Sequence, residues 1–288
     1  MTLMPPDMGR SLLVTGAAGR IGRALRAVFA DNGVGGLPVL WHGRRAAHGI
    51  GLVWDIGADP PTLLPKGVVV LHLAGQTRGP AAILADNARA TEALCRAANA
   101  AEAAHVFLMS SAAVYRPQAR PLTEDQAPDP VSDYGRAKLA AEQVAEATLR
   151  GPGLTVLRLA NLAGADALLG GVREGLAVLL DPIEGQSGGP ERSYIGPRVM
   201  ARVVEGLVQR VMAGLPVPRV VNLAQPGVVA MADLLQAAGA VWSFGPPRAG
   251  AVARVVLDVA LLQSLFSLPE ATSQGLVADM RSIPGWPR

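Results

Sequence analysis

The stretch Leu12–Gly22, LLVTGAAGRIG, decides the fold of this chain. Its apolar start, Leu12–Val14, predicts a strand that runs into a turn with glycines at 16, 19 and 22 and then into a helix. Gly16 lets the chain turn sharply, Gly19 leaves room for a phosphate beside backbone N–H groups, and Gly22 lets the helix pack closely on the sheet. The N-terminus of such a helix offers donors and partial positive charge to a pyrophosphate. The stretch therefore predicts a dinucleotide site, with a ligand-free glycine turn as the alternative.

Length and composition restrict the class of protein. The chain has 288 residues, half of them apolar, which suffices for one large domain or a domain with a smaller lobe. Since apolar runs stay shorter than about 18 residues, we expect no membrane span, and we expect no signal peptide. Cys95 is the sole cysteine, which excludes an internal disulfide and suits a cytoplasmic protein. The formal net charge is +3 and basic residues form no run, so nucleic acid is not an expected partner.

Apolar strands and helices alternate as far as residue 159. The predicted strands after the first are Pro38–His42, Ile50–Trp54, Val68–Leu73, His105–Met109 and Leu154–Leu159. The predicted helices are Arg20–Asn32, Asp86–Ala101 and Tyr134–Leu149. Six strands that alternate with helices predict an α/β fold, a Rossmann-type doubly wound parallel sheet with ligands at the carboxyl ends of the strands.

Beyond Asn161 the alternation loosens. The predicted elements are helices at Asp166–Leu180, Pro197–Ala213, Ala230–Ala240 and Ala271–Met280, a short helix capped by Asp258, and strands at Val220–Leu223 and Val252–Leu257. We therefore assign residues 1–165 to a dinucleotide-binding domain that includes the catalytic residues. Residues 166–288 are assigned to a smaller substrate-binding lobe, partly interleaved with the sheet.

Three polar residues carry the predicted chemistry. Tyr134 and Lys138 lie four residues apart on one helix face. A nearby ammonium stabilises a phenolate, so we expect the pKa of Tyr134 to be lowered toward the range of a general acid–base. Ser111 ends the preceding strand, where its hydroxyl would bind the same substrate oxygen as Tyr134. Taken singly, a solvated helix pair and a strand-end cap are the alternatives.

Five segments together resemble the extended short-chain dehydrogenase/reductases, or NAD-dependent epimerase/dehydratase family. They are Thr15–Gly22 (TGAAGRIG), His72–Gly75 (HLAG), Ser110–Tyr115 (SSAAVY), Tyr134–Lys138 (YGRAK) and Arg158–Asn161 (RLAN). The resemblance covers residues 10–165 well and continues more faintly to about residue 260, through Arg192-Ser-Tyr-Ile and Val221-Asn-Leu-Ala. As a set, the motifs are specific for fold and reaction type and not for substrate.

The resemblance implies roles for the matching residues. Tyr134 would be the acid/base, Lys138 would bind the nicotinamide ribose, and Ser111 would orient the reacting oxygen. Cofactor contacts are expected from Gly16, Ala18, Gly19, Arg20, Ile21, Arg44, Arg45, Asp55, Ile56, Leu73, Ala74, Gly75, Asn87, Tyr134 and Lys138. Substrate contacts are expected from Ser111, Asn161 and Arg192, and no metal site is expected.

Some of these residues have plainer interpretations. Asp55 fits a turn cap, Asn87 a polar residue at a helix start, and Arg192 an exposed edge-strand arginine. His72, inside an apolar strand, fits a packed core histidine better than a catalytic one.

The chain departs from the family pattern at the end of the second predicted strand. Members that use NAD usually carry an acidic residue there, whereas Trp41–Arg45 (WHGRR) offers two guanidiniums and no carboxylate. Arginine pairs well with a phosphate dianion, so NADP(H) is the preferred cofactor and NAD(H) a possible one. The alternative is a solubilising loop in an arginine-rich chain.

A second departure is a short segment after residue 161. Only 31 positions separate Asn161 from Arg192, where sugar-nucleotide enzymes of the family commonly carry a longer insert. Arg192 could still bind a pyrophosphate. The short segment is also compatible with a substrate smaller than a sugar nucleotide.

The leading hypothesis is an NAD(P)-dependent oxidoreductase or epimerase acting on a carbinol or ketone carbon of a sugar or sugar nucleotide. The alternatives are an NADPH-dependent reductase of a small non-nucleotide carbonyl compound and a non-catalytic dinucleotide-sensing protein. A dehydratase fits less well, because Ala112-Ala113 replaces the acidic pair of those family members. The resemblance also implies a homodimer through the helices Asp86–Ala101 and Tyr134–Leu149.

Overall fold

The computed structural model describes residues 10–29, 33–56, 58, 64–172 and 176–285. Its strands are β1 (Leu12–Thr15), β2 (Val39–Gly43), β3 (Leu52–Val53), β4 (Val69–His72), β5 (His105–Ser111), β6 (Gly153–Leu159), β7 (Asn161–Leu162), β8 (Val178–Leu180), β9 (Glu191–Arg192), β10 (Tyr194–Ile195), β11 (Val220–Leu223), β12 (Val229–Ala230), β13 (Trp242–Phe244) and β14 (Arg254–Val255). Its α-helices are α1 (Arg20–Val28), α2 (Ala81–Leu84), α3 (Asp86–Ala100), α4 (Asp133–Thr148), α5 (Pro197–Met212), α6 (Met231–Ala238), α7 (Ala260–Leu265) and α8 (Ser273–Arg281). Short 3₁₀ turns occupy Ala112–Val114 and Leu169–Gly171.

A seven-stranded parallel sheet in the order β11-β6-β5-β4-β1-β2-β3 organises the fold. β1 pairs in parallel with β2 and β4, and β4 pairs with β5. β1 and β4 are buried along their whole length, as expected of strands covered on both faces. Thr15 pairs with His72, which in turn pairs with Leu108, so the carboxyl ends of β1, β4 and β5 share one edge. The predicted doubly wound parallel sheet is confirmed, with β11 as a strand beyond the six that we predicted for it.

The chain divides into two compact units. The first consists of Met1–Val114, Pro130–Leu157 and Val204–Val220, and the second of Tyr115–Asp129, Arg158–Val203 and Val221–Arg288. Buried residues at the centre of the first unit include Leu13, Val70, Leu94 and Val106. Those of the second include Leu169, Tyr194, Leu235 and Val277. Each unit therefore has an apolar core of its own.

The prediction of a helix over Asp166–Leu180 is wrong for the residues that the structure describes; residues 173–175 lie outside them. A single 3₁₀ turn and the strand β8 replace the helix. The Asp166 carboxylate accepts a hydrogen bond from the Leu169 N–H (3.2 Å), a local bond that competes with helical pairing. A Cβ at Gly170 would lie 2.8 Å from the Gly164 oxygen, so the chain is folded back on itself here.

Other predicted elements agree to within a few residues. β11 has the predicted bounds, α5 ends one residue early, and Asp258 accepts a hydrogen bond from the N–H of Ala260 at the start of α7 (2.8 Å). Residues 30–32 of the predicted first helix lie outside the described residues. The strand predicted at Val252–Leu257 is reduced to β14, and α2 was not predicted. Among the described residues, no helix is both long and apolar enough to span a bilayer.

Candidate active site and nucleotide-binding turn

The glycine turn joins β1 to α1 in the first unit. Gly16 has a φ of +72°, and a Cβ at this position would lie 2.8 Å from the Ala74 nitrogen. A Cβ on Gly22 would collide with the carbonyl oxygen of Gly16. Gly19 precedes α1 without a side-chain cap, and the first turn of the helix carries no acidic residue. Because Ala18 and Gly19 are exposed beside this helix start, the turn fits a pyrophosphate, as a dinucleotide cofactor would supply.

Thr15, at the end of β1, fixes the loop that follows β4. Its Oγ1 accepts hydrogen bonds from the N–H groups of Leu73 and Ala74 (both 3.1 Å) and lies 2.8 Å from the His72 Nδ1. Thr15 is not among the predicted site residues, although a hydroxyl directly after an apolar strand was the available signal. His72 is buried, and burial, with the charges of Lys138 and His42, lowers its pKa to about 3. His72 is therefore a neutral core residue.

Asn87 and Arg20 hold the continuation of this loop. The Asn87 amide accepts from the N–H of Gln76 (2.6 Å) and donates to the oxygen of the same residue (2.9 Å). A Cβ on Gly75 would lie 3.0 Å from the Asn87 Oδ1, so the loop passes close to that side chain. Arg20 donates to the hydroxyl of Thr77 (3.3 Å). The predicted cofactor residues of both loops thus occupy one edge of the sheet.

Ser111 and Tyr134 meet at this edge. Ser111 ends β5, Tyr134 is the second residue of α4, and their side chains are hydrogen-bonded. The Ser132 hydroxyl caps α4 by accepting from the Gly135 N–H (3.0 Å). A Cβ on Gly135 would collide with the carbonyl oxygen of Ala113, so only glycine allows this close approach. The start of α4 is therefore held against the end of β5.

The electrostatics at Tyr134 differ from the expectation. Burial raises the pKa of Tyr134, while the hydrogen bond with Ser111 and the positive charge of Arg20 lower it by less. The predicted lowering of this pKa by Lys138 is therefore wrong in this structure. Desolvation of the phenolate outweighs the favourable charges, and the cation that acts on the phenol is Arg20.

Lys138 is buried one turn further along α4. Its ammonium donates to the carbonyl oxygen of Met109 on β5 (2.8 Å), and burial lowers its pKa to about 8 against the raising effect of the Glu142 charge. Glu142 is itself buried and accepts a hydrogen bond from the hydroxyl of Ser110. Glu142 is not among the predicted site residues; the available signal was an acidic residue four positions after Lys138 on the same helix face.

Arg44 and Arg45 follow β2 and are both exposed. Asp55 follows β3, is also exposed, and its carbonyl oxygen accepts from the Ala58 N–H (2.8 Å). Ile56 is a core residue of the first unit. Their predicted contacts with a cofactor remain predictions.

Asn161 and Arg192 belong to the second unit, where both have local partners. The Arg192 guanidinium donates to the carbonyl oxygens of Glu191 (2.8 Å), Ala253 (3.3 Å) and Val252 (2.8 Å). The Asn161 side chain is hydrogen-bonded to Tyr194. Their assignment as substrate residues also remains a prediction.

Comparisons with known proteins agree with this arrangement. The family model described as "NAD dependent epimerase/dehydratase family" matches residues 12–180, more than half of the chain. The chain is 33% identical over 175 residues to a UDP-glucose 4-epimerase of Azospirillum brasilense (54% of this chain, 50% of that protein). It is 29% identical over 174 residues to the UDP-glucose 4-epimerase of Lactobacillus helveticus (54% and 53%). The chain thus spans about half the length of these curated relatives.

Solved structures share the fold over nearly the whole chain. MoeE5 in complex with UDP-glucuronic acid and NAD is 25% identical, with a TM-score of 0.73, covering 94% of this chain and 99% of that one. The UDP-glucose 4-epimerase of Brucella ovis in complex with NAD is 22% identical, with a TM-score of 0.78, covering 96% and 99%. Since the family model spans the glycine turn, Ser111, Tyr134 and Lys138, the chain belongs to the NAD-dependent epimerase/dehydratase family of extended short-chain dehydrogenases/reductases.

Proposed function

We propose that this protein is an NAD(P)-dependent oxidoreductase or epimerase that acts on a carbinol or ketone carbon of a sugar or sugar nucleotide. The observation that carries the proposal is the hydrogen bond between Ser111 and Tyr134 at the sheet edge that also holds the glycine turn. The two UDP-glucose 4-epimerase relatives and the MoeE5 complex with UDP-glucuronic acid and NAD support the substrate class.

Each residue of the site has a separate task in this proposal. When bound, the nicotinamide cofactor donates or accepts the hydride. Tyr134 gives a proton to the substrate oxygen or takes one from it, and Ser111 holds that oxygen by a hydrogen bond. Lys138 would hold the cofactor ribose and supply positive charge. Because the cofactor supplies the hydride chemistry, the protein contributes orientation and charge.

Tyr134→Phe tests the acid–base role. The variant removes one oxygen atom, and we expect kcat to fall about 10²–10⁴-fold, the contribution of general acid–base catalysis. Cofactor affinity, measured by fluorescence titration, should stay within a factor of about three, since the ring still fits its site. Activity is measured in two ways. The first is the conversion of a UDP-sugar into its epimer at a hydroxyl-bearing carbon, and the second is the production or consumption of NAD(P)H.

Tyr115→Phe is the matched control. The Tyr115 hydroxyl donates to the Asn222 Oδ1 (2.9 Å) and accepts from Arg158 (2.9 Å), so its removal should lower thermal stability and spare kcat. Undiminished kcat in Tyr134→Phe would show that the acid–base assignment is wrong. An active wild-type enzyme that interconverts sugars without net NAD(P)H turnover is an epimerase, whereas stoichiometric NADPH consumption identifies a reductase.

A reductase of a small non-nucleotide carbonyl compound is the second candidate. The observation that favours it is the Arg192 guanidinium, which three backbone carbonyl oxygens of the second unit already engage. The same assay run on a panel of small ketones distinguishes the two candidates. Cofactor binding without turnover of any of these compounds would favour a sensing protein.

We propose that the cofactor is NADP(H) in preference to NAD(H). The exposed Arg44 and Arg45 follow β2, where a carboxylate would otherwise hydrogen-bond the adenosine ribose. We expect NADP to bind more tightly than NAD, and the double variant Arg44→Ala/Arg45→Ala to weaken NADP binding about tenfold or more while NAD affinity is unchanged. Arg96→Ala, an exposed arginine on α3, is the control. Tighter binding of NAD by the wild type, in calorimetric titrations, would refute the preference.

A further inference from the structure

Glu142 is a charged residue of α4 for which the proposed mechanism has no role. Its side chain is 5% exposed, and the Ser110 hydroxyl donates to its Oε1. Removing a carboxylate from water costs several kcal/mol unless partners compensate for it. Lys138, which is 8% exposed, lies four residues earlier, and side chains at this spacing are neighbours on a helix. The two opposite charges are therefore buried together.

The elements packed on α4 add no further buried negative charge within the described residues. β5 contributes the Met109 carbonyl oxygen, while α2 and the 3₁₀ turn after β5 contain no titratable side chain. The acidic residues of α3, Asp86 and Glu92, are partly exposed and paired with arginines of their own helix. Burial raises the pKa of Cys95 on α3 to about 12 and, with the Lys138 charge, lowers that of His72 on β4, so both are neutral near pH 7. Glu142 is thus the anion that faces Lys138.

Ser110 links this pair to the site. It precedes Ser111 on β5, and both hydroxyls are hydrogen-bonded to residues of α4. Its hydrogen bond to Glu142 and the hydrogen bond of Ser111 with Tyr134 together hold the last residues of β5 against α4. A shift of Glu142 would therefore move both the charge beside Lys138 and the strand end that carries Ser111.

We propose that Glu142 is a positioning residue of this site: its carboxylate keeps Lys138 protonated inside the protein and, through Ser110, fixes the end of β5. The effect of Glu142 on catalysis rests on the proposed function, whereas its effect on the protonation of Lys138 does not.

The test uses the scarcity of lysine. The full chain contains 2 Lys, Lys66 and Lys138, so NMR of protein labelled with ¹³C,¹⁵N-lysine shows two side-chain signals, which a Lys66→Arg variant assigns. Lys66 is exposed and paired with Glu102, and it serves as the internal reference. We expect Glu142→Gln to lower the pKa of Lys138 by about 1–3 units relative to the wild type. From the wild-type value of about 8, such a shift would remove the proton from half or more of the Lys138 side chains at pH 7.

Two variants control for loss of packing and for charge in general. Glu146→Gln removes an exposed carboxylate one turn further along α4 and should leave the pKa of Lys138 unchanged. Glu142→Asp retains the charge and should restore most of the pKa that Glu142→Gln loses. A shift in Glu142→Gln no larger than that in Glu146→Gln would overturn the proposal. The wild type gives an independent measurement, because a pKa of Lys138 below about 6, the value of an uncompensated buried lysine, would also overturn it.

An activity measurement separates this proposal from the proposed function. In active enzyme, Glu142→Gln should move the alkaline limb of the kcat profile to lower pH by the shift that NMR reports, with KM for the sugar substrate unchanged. The NMR measurement needs no substrate, so a fully active Tyr134→Phe variant would refute the acid–base assignment and leave the electrostatic role of Glu142 intact. An unchanged pKa of Lys138 in Glu142→Gln together with an inactive Tyr134→Phe would refute only the role of Glu142.

Discussion

Gly16 meets two demands that other residue types do not meet together. Its φ of +72° lies in the left-handed region, and the Ala74 nitrogen lies 2.8 Å from where a Cβ would stand. Gly36 has a similar φ of +81°, but no atom lies within 4 Å of the corresponding Cβ position. A side chain at Gly36 would therefore meet only backbone strain, whereas a side chain at Gly16 would meet the same strain and a steric clash.

We expect Gly16→Ala and Gly36→Ala to behave differently. Each should lose about 1–2 kcal/mol of unfolding free energy through strain, measured by urea denaturation. Gly16→Ala should in addition push the Ala74 loop away from the turn and raise the Kd of the dinucleotide at least about tenfold. Equal cofactor affinity in the two variants would show that the close approach to Ala74 does not shape the binding turn.

The spacing of residues in the sequence predicts which side chains share a helix face, but not how deeply they are buried or which distant groups they contact. The spacing of Tyr134 and Lys138 predicts that they share a helix face, and α4 confirms it. The direction of the Tyr134 pKa shift was wrong because it depends on how deeply the phenol is buried, which spacing does not encode. Likewise, no local pattern around Arg192 shows that its guanidinium would engage the backbone near residue 253.

At the scale of elements, α4 is positioned by its first turn. Ser132 caps the helix, and Thr272 caps α8 in the second unit with the same geometry, accepting from Gly275 (3.1 Å). Removal of either cap should cost about 1 kcal/mol of stability. The two helices differ in that α4 carries Tyr134 and Lys138.

Ser132→Ala and Thr272→Ala therefore form a matched pair. We expect similar losses of unfolding free energy, measured by chemical denaturation, because each change removes one cap hydrogen bond. Only Ser132→Ala should lower kcat, since the second residue of α4 is Tyr134. An equal fall in kcat for both variants would indicate that stability alone, and not the position of Tyr134, controls the rate.

Elements with strong periodicity were predictable, and those decided by local polar contacts were not. The apolar strands at the sheet centre, β1 and β4, are continuous hydrophobic runs in the sequence, which is typical of parallel strands buried on both faces. The segment after Asp166 is also rich in apolar residues, and its pattern resembles a helix. Its actual path depends on the Asp166–Leu169 hydrogen bond and on the contact of Gly170 with Gly164, which no periodicity shows.

At the scale of the whole molecule, buried histidines make stability depend on pH. Burial lowers the pKa of His105 to about 4 and that of His72 to about 3, and it also lowers that of His42. In an unfolded chain a histidine has a pKa near 6.5, roughly. Between the two values the unfolded chain binds protons that the folded chain does not. The free energy of unfolding therefore falls as the pH is lowered through this window, by up to about 1.4 kcal/mol per pH unit for each histidine.

His105→Gln tests this dependence. His105 lies 2.9 Å from the Thr155 hydroxyl, which donates to the Pro218 oxygen, so a glutamine amide can replace the ring N–H as donor. We expect the slope of unfolding free energy between pH 6 and pH 4, roughly, to decrease by about 1 kcal/mol per pH unit relative to the wild type. The control His48→Gln removes an exposed imidazole. A slope in His105→Gln equal to that of the wild type would show that His105 does not titrate in this window.

The place of Tyr134 at the start of α4 has one more consequence. Helix side chains lean toward the N-terminal end, where the aligned peptide dipoles act as roughly half a positive charge. Asp133, the acidic residue in the same turn, is exposed and forms an ion pair with Arg136. A phenolate at Tyr134 would therefore be stabilised by the positive end of the helix dipole, which does not depend on protonation. Because backbone dipoles do not titrate, this contribution persists at every pH at which α4 stays folded.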